Sequence, residues 1–180
     1  VTLPEYFRKH GYHTQGLSKI FHGGLDDPQS WSVPHWVPER PAYTNAETLR
    51  DIEKRRRKLR REGAPPLVTV VEKDPRTGLV LRVRRGPRVN GPAWEAADVP
   101  DNALADGMTA DRAIEVLREI RDKPFFLAVG FLKPHLPFVA PKKYFDLYPP
   151  EKIRLATNPF PPQDVPSPAM TDSGELRSYK

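Results

Sequence analysis

The chain has 180 residues, with 22 Pro, 11 Gly, no Cys, 38% hydrophobic residues and a formal net charge of +6. This length can bury one ordinary core, and the proline content predicts many loops and few long elements. No run approaches the ~18 apolar residues of a membrane span, and the lack of Cys excludes disulfides, Cys-ligated zinc, iron–sulfur clusters and thiol catalysis. No signal peptide is expected within these residues, and with Val1 where an initiator Met would stand, a fragment or processed product is expected.

Taken in order, Thr2 with Glu5 three residues on forms a capping box, and Pro4 is tolerated in a first turn. Leu3, Tyr6 and Phe7 fall at helical spacing, which predicts a helix over 2–10 ending at Gly11. A strand is expected over 12–18, running into Lys19-Ile20-Phe21-His22 and closed by Gly23-Gly24, where backbone can approach closely. Residues 25–46 are loop, and Trp31, Trp36 and Tyr43 among its prolines predict that it is pinned to a surface.

Residues 46–62 are expected to be a helix. From Glu47 to Gly63, Arg50, Lys54, Arg55, Arg56, Arg57, Lys58, Arg60 and Arg61 outweigh Glu47, Asp51, Glu53 and Glu62, so this window alone carries +4 of the chain's +6. Strands over 67–73 and 79–84 flank Asp74-Pro75-Arg76-Thr77-Gly78, which is hairpin turn chemistry. Residues 86–108 are expected to be loop. A helix over 110–122 is predicted with Thr109 as N-cap and Ala110, Ala113, Ile114, Leu117 and Ile120 on its buried face. Phe125–Phe131 then forms an apolar run, predicted to be a central strand buried on both faces. Lys133-Pro134-His135-Leu136-Pro137-Phe138 follows, and residues 149–180 form a Pro-rich tail.

Helix, strand and polar loop thus occur twice, delivering Lys19 and His22 in one case and Lys133 and His135 in the other. Both loops follow the C-terminal ends of strands, the edge where open α/β sheets bind ligands. Lysine is a point charge for sulfate or phosphate oxygens, and His passes protons near neutral pH. Two of each suit hydrolysis of a sulfate or phosphate ester. A single His beside Pro or Gly is more often structural, and His10, His13 and His35 take that reading.

The stretch Thr2-Leu3-Pro4-Glu5-Tyr6-Phe7-Arg8-Lys9-His10-Gly11-Tyr12, then Gly16-Leu17-Ser18-Lys19-Ile20-Phe21-His22, resembles the type I sulfatases, closest to the iduronate-2-sulfatase-like branch. Lys123-Pro124-Phe125-Phe126-Leu127-Ala128-Val129-Gly130-Phe131, Lys133-Pro134-His135-Leu136-Pro137-Phe138, Ala140-Pro141-Lys142-Lys143-Tyr144-Phe145 and Leu147-Tyr148-Pro149 resemble the same branch. The resemblance covers residues 1–36 and about 95–160. It implies an α/β fold: part of an alkaline-phosphatase-like three-layer sandwich with a central, mostly parallel sheet. The expected organisation is one partial catalytic domain divided into 1–46, a helix–hairpin insertion at 47–90, 91–148 carrying the Lys-Pro-His loop, and the tail.

What the resemblance implies for chemistry is a sulfuric ester hydrolase acting on a sulfated, uronate-containing glycan, exported to the periplasm, extracellular space or lysosome. Lys19 would bind the sulfate and the catalytic aldehyde hydrate, and His22 would assist regeneration of that hydrate. His135 would contact the sulfate as a candidate acid, with Lys133 near the substrate or in a structural salt bridge. The family's formylglycine arises from Cys or Ser in a Cys/Ser-x-Pro-x-Arg motif. Ser32-Val33-Pro34-His35-Trp36 lacks the Arg, and Asp26-Asp27 takes the reading of a solvated turn, not a metal pair. Formylglycine and Ca²⁺ are therefore expected from sequence outside these 180 residues, and the chain alone is expected to be inactive.

Rival readings use other features. The basic segment at 50–61 could bind a polyanion, glycan or nucleic acid, although no aromatic residue interleaves the run. No sequence-specific nucleic acid and no membrane are expected as partners. A noncatalytic truncated fragment would leave strand edges exposed and adhesive. Lys19 and His22 alone do not separate sulfate from phosphate or phosphonate esters.

Overall fold

A computed structural model describes residues 1–22, 25–39, 42–73, 80–158, 160–170 and 174–179. In chain order the elements are α1 (Leu3–Lys9), β1 (His13–Ser18), α2 (Ala46–Arg61), β2 (Val68–Lys73), β3 (Val80–Arg85), β4 (Trp94–Ala97), α3 (Ala105–Ile120), β5 (Phe125–Gly130), β6 (Phe138–Pro141) and α4 (Lys142–Phe145). The expected turn at 74–78 and the Gly23-Gly24 pair lie outside the described residues.

The first helix forms as its sequence dictates. Thr2 Oγ1 accepts the Glu5 N–H, and the Glu5 carboxylate accepts the Thr2 N–H. Lys9 Nζ donates to Glu5 Oε1 at 2.6 Å, and that hydrogen bond holds the Glu5 carboxyl below the ordinary carboxylate range. Gly11 takes φ +84°, the left-handed conformation that ends a helix at little cost.

β1 pairs in parallel with β5, in a register that sets His13 opposite Phe125 and Ser18 opposite Gly130. One face of this pair meets α3: Leu17, Val116 and Ile120 are buried together, with Ala113, Phe125, Leu127 and Val129 packed around them. On the alternate side of β5, Phe126 stacks on Phe7 of α1 with ring centroids 4.9 Å apart. Helices thus flank both faces of a parallel strand pair, as an α/β fold requires. The β5 residues are only half-buried, so the expected strand sealed on both faces is not what these residues form. β1 and β5 make a two-stranded sheet among the described residues.

α3 departs from its sequence reading. It begins at Ala105, not after Thr109, and Leu104 stands at its N-cap position. Thr109 is a buried interior residue whose hydroxyl donates to the Ala105 carbonyl at 2.8 Å. Gly107, a poor helix former, disguised the first turn. It is needed there because a Cβ would lie 2.0 Å from the Asp101 carbonyl oxygen. The buried face carries Thr109, Ala113, Val116 and Ile120, whereas Ile114 and Leu117 are exposed.

The stretch expected to be loop at 86–108 contains β4 and the start of α3. β4 pairs in parallel with β6, Trp94 opposite Phe138 and Ala97 opposite Pro141. Tyr43, Ile52, Leu104 and Val139 form a second buried cluster beside that pair, with Val89 and Val99 against it. Glu95 of β4 receives the N–H groups of Thr44 and Asn45 and the Thr44 hydroxyl on one oxygen, which fixes the start of α2. Asn45 caps α2 by accepting from Glu47 N and Thr48 N. β2 and β3 pair antiparallel, Val68 opposite Arg85 and Lys73 opposite Val80. The tail holds short 3₁₀ turns at Pro150–Lys152, Ser167–Ala169 and Leu176–Ser178. No described helix is long and apolar enough to cross a membrane.

Candidate active site

The parallel pairing of β1 and β5 brings the two Lys/His loops to one edge. The register continues one residue past the strands: the Lys19 N–H donates to the Gly130 carbonyl at 3.0 Å. Contact there is so close that a Cβ on Gly130 would lie 1.8 Å from the Lys19 carbonyl oxygen. Glycine is the residue that allows it.

The chain leaves β1 through a strained turn. Ser18 is non-glycine at φ 62° and 5% exposed; such a conformation costs on the order of 1 kcal/mol and persists only where neighbours hold it. Its N–H donates to the Trp36 carbonyl at 2.7 Å, and its carbonyl accepts from Ile20 N at 3.0 Å. Beyond the turn, Lys19 Nζ donates to the Phe21 carbonyl at 3.2 Å and is half-buried. This partner is neutral, so the ammonium charge is not cancelled by it. His22 is exposed.

On the other loop, Asp106 at the first turn of α3 accepts the N–H of Leu132 at 2.8 Å and of Lys133 at 3.0 Å. Lys133 Nζ donates to the carbonyls of His135 and Pro137. Its burial pushes the ammonium below the ordinary lysine range, opposed in part by the Asp106 charge. The Lys133–Pro134 and Leu136–Pro137 bonds are both cis. His135 Nδ1 lies 2.7 Å from the Leu136 carbonyl, and Nε2 lies 3.5 Å from Glu175 in the tail. The imidazole is more than half exposed at 58%. The fold thus gathers the backbones of the two loops, while each named side chain makes its polar contacts outside the other loop.

The Trp-rich loop is pinned as expected. Trp31 is 4% exposed and lies flat on Gly16, where a Cβ would meet its ring at 2.8 Å. Residue 36 bridges to β1 in parallel beside Leu17. Asp26 and Asp27 are not a free solvated turn. Asp27 caps the 28–30 turn and accepts the Ser30 hydroxyl at 2.7 Å, and Asp26 accepts the Trp31 indole N–H at 3.1 Å and faces His35 Nδ1 at 3.0 Å. Sequence reasoning left His35 and Ser18 out of the site, because their link joins residues 17 positions apart through a backbone carbonyl.

Comparison with known proteins gives matches running almost end to end. The chain is 32% identical over 184 residues to iduronate 2-sulfatase of Mus musculus, covering 98% of this chain and 28% of that protein, and equally so to iduronate 2-sulfatase of Homo sapiens. The chain belongs to the sulfatase family. A sulfatase of Formosa agariphila is 29% identical over 172 residues, covering 92% of the chain and 27% of that protein. No family model matches. The chain spans less than a third of the length of these curated relatives.

The described residues of this sulfatase chain do not fit the two groups that the resemblance implies. No set of three or more His, Asp or Glu among them is placed to hold a metal ion. Ser32, the candidate for the formylglycine position, has its hydroxyl on β1, where it accepts the Thr14 N–H at 2.9 Å. The position two after Pro34 is Trp36, which stands where that motif has Arg.

Proposed function

We propose that this chain forms one wall of a sulfuric ester hydrolase site, within an alkaline-phosphatase-like sandwich, and that the substrate is a sulfated, uronate-containing glycan. The observation that carries the reading is the junction of the two loops at the C-terminal edge of β1 and β5, where Lys19 N meets the Gly130 carbonyl. Lys19 presents an uncancelled ammonium to sulfate oxygens. His135 stands exposed on its loop, able to hold a proton for the departing alcohol, and His22 stands exposed on the other. Lys133 keeps the His135 turn in shape with two N–H groups and retains the third for a substrate oxygen. Formylglycine and Ca²⁺ would come from residues other than those described, in an exported enzyme. Purified 180-residue chain is expected to leave an aryl sulfate intact yet to bind inorganic sulfate, shifting the NMR resonances of Lys19, His22 and His135. Absence of such shifts overturns the sulfate reading, and turnover by the isolated chain overturns its dependence on other residues.

A second reading is favoured by α2. Arg50, Lys54, Arg57 and Arg61 are exposed and recur at helical spacing on the face opposite buried Ile52. Arg50/Lys54, Lys54/Lys58 and Arg57/Arg61 are like-charged i,i+4 pairs, which weaken an isolated helix. The stripe runs about 16 Å along the axis. It suits a polysulfated glycan better than single-stranded nucleic acid, because α2 carries no aromatic residue on which bases would stack. The R50E/K54E/R61E chain is expected to elute from immobilised heparin at lower salt than the parent. A K152E/R154E control in the tail is expected to elute close to it. Equal elution of the triple variant and the parent, or retention on DNA as strong as on heparin, counts against this reading.

A further inference from the structure

The ring of His35 is fixed at both nitrogens. Nδ1 lies 3.0 Å from Asp26 Oδ1, and Nε2 lies 2.8 Å from the Ser18 carbonyl oxygen. The imidazole is 10% exposed and tilts against the Trp31 ring, with centroids 5.6 Å apart. A backbone carbonyl is only an acceptor, and so is an ionised carboxylate. Asp26 Oδ1 also receives the Trp31 indole N–H, a donor with no acceptor capacity, which matches an ionised oxygen. A neutral imidazole donates from one nitrogen only and would turn the lone pair of the other toward an acceptor. The charged group facing the ring among the described residues is Asp26; the other surroundings are Trp31 and the β1 backbone.

We propose that His35 is an imidazolium clamped between Asp26 and the Ser18 carbonyl, and that this clamp positions Lys19. Ser18 is the strained residue at which the chain leaves β1 for Lys19. The Trp36 carbonyl takes its N–H and His35 takes its carbonyl, so the residue is held from both sides of its peptide plane. Loss of the ring proton at Nε2 sets two lone pairs against each other and frees the turn. His35 is therefore a positioning residue, and that role rests on reading Lys19 as the sulfate ligand; the charge state does not.

Long-range proton–nitrogen NMR correlation on the ¹⁵N-labelled 180-residue chain tests the charge state directly. At pH 7.5 an ordinary imidazole, with pKa near 6.5, is about nine-tenths neutral. Both His35 ring nitrogens are expected to show protonated-type shifts at that pH in the parent, and one of the two an unprotonated-type shift in the D26N chain. An unprotonated ring nitrogen in the parent at pH 7.5 overturns the proposal without recourse to any variant. Positioning is read by amide exchange. In H35A, which removes the Nε2 donor to the Ser18 carbonyl outright, the Lys19 and Ile20 amides are expected to exchange at least tenfold faster, with the Leu17 and Val129 amides unchanged. Unaltered exchange at Lys19 and Ile20 overturns the positioning role. A parent chain with a doubly protonated His35 that binds no inorganic sulfate upholds the clamp and defeats the sulfate reading instead.

Discussion

Lys19→Ala, placed in the complete reading frame, is expected to lower kcat/KM for sulfate ester hydrolysis by about 10²–10³-fold, the effect of deleting one preorganised donor to a developing oxyanion. The main chain of Lys19 is anchored to Gly130, so the side chain starts from a fixed point. Its polar contact within the described residues is the neutral Phe21 carbonyl at 3.2 Å, so the charge remains available to an anion. Because the side chain is half-buried and outside both apolar clusters, its loss should leave the thermal midpoint within about 2 °C of the parent. Lys19→Arg retains the charge but carries a planar fork on a different stem, and is expected to recover activity only in part. Steady-state kinetics on an aryl sulfate, paired with a melting curve, checks all of this. A loss smaller than tenfold with an unchanged melting curve would remove Lys19 from the proposed chemistry.

Gly130→Ala is expected to be strongly damaging, with the closest overlap of any alanine substitution at the described glycines. Its Cβ would sit 1.8 Å from the Lys19 carbonyl oxygen and 2.3 Å from the carbonyl carbon. Both are backbone atoms, so no rotamer change relieves the overlap, and the β1–β5 junction has to open. Overpacking of this kind costs roughly 3 kcal/mol or more, which lowers the midpoint of a chain this size by about 6–12 °C. Gly11→Ala is the control: it adds a methyl where nothing lies within 4 Å and meets only the penalty of φ +84°. A drop of less than 2 °C for Gly130→Ala would contradict the close approach. If the chain stays folded, sulfate-induced shifts at Lys19 should vanish with the same substitution.

What the sequence disclosed follows from how local each signal is. The capping box of α1, the basic helix and the two strands bearing the motifs are contiguous patterns, and they stand where those patterns put them, whereas the Asn45 cap of α2 is seen only in the structure. β4 and β6 escaped because each is four residues long and pairs with a partner more than forty positions away. In the sequence, Trp94-Glu95-Ala96-Ala97 and Phe138-Val139-Ala140-Pro141 carry neither alternation nor turn punctuation. α3 misled in two ways. Thr109 has the side chain of a cap, but its hydroxyl turns back to Ala105. Ile114 and Leu117 have the spacing of a core face, yet the sheet takes the neighbouring stripe through Val116. Of the proposed site, Lys19, His22, Lys133 and His135 are legible as motif residues. The Asp26–His35–Ser18 chain was not, since it exists only once the proline-rich loop has folded back along β1.

The parallel register between β1 and β5 joins residues 112 positions apart, and this shapes how the edge assembles and how it can change. Closing a loop of that size is slow compared with zipping the β2–β3 hairpin, so Lys19 and Gly130 meet late in folding. The closure entropy grows only as (3/2)RT ln n, so adding 20 residues to the excursion between them costs ~0.15 kcal/mol. In closure entropy alone, added length in this excursion therefore has almost no effect on the Lys19–Gly130 contact, provided Ile52 and Val89 keep their places in the second buried cluster. The excursion is free to vary while the β1–β5 edge stays as it is.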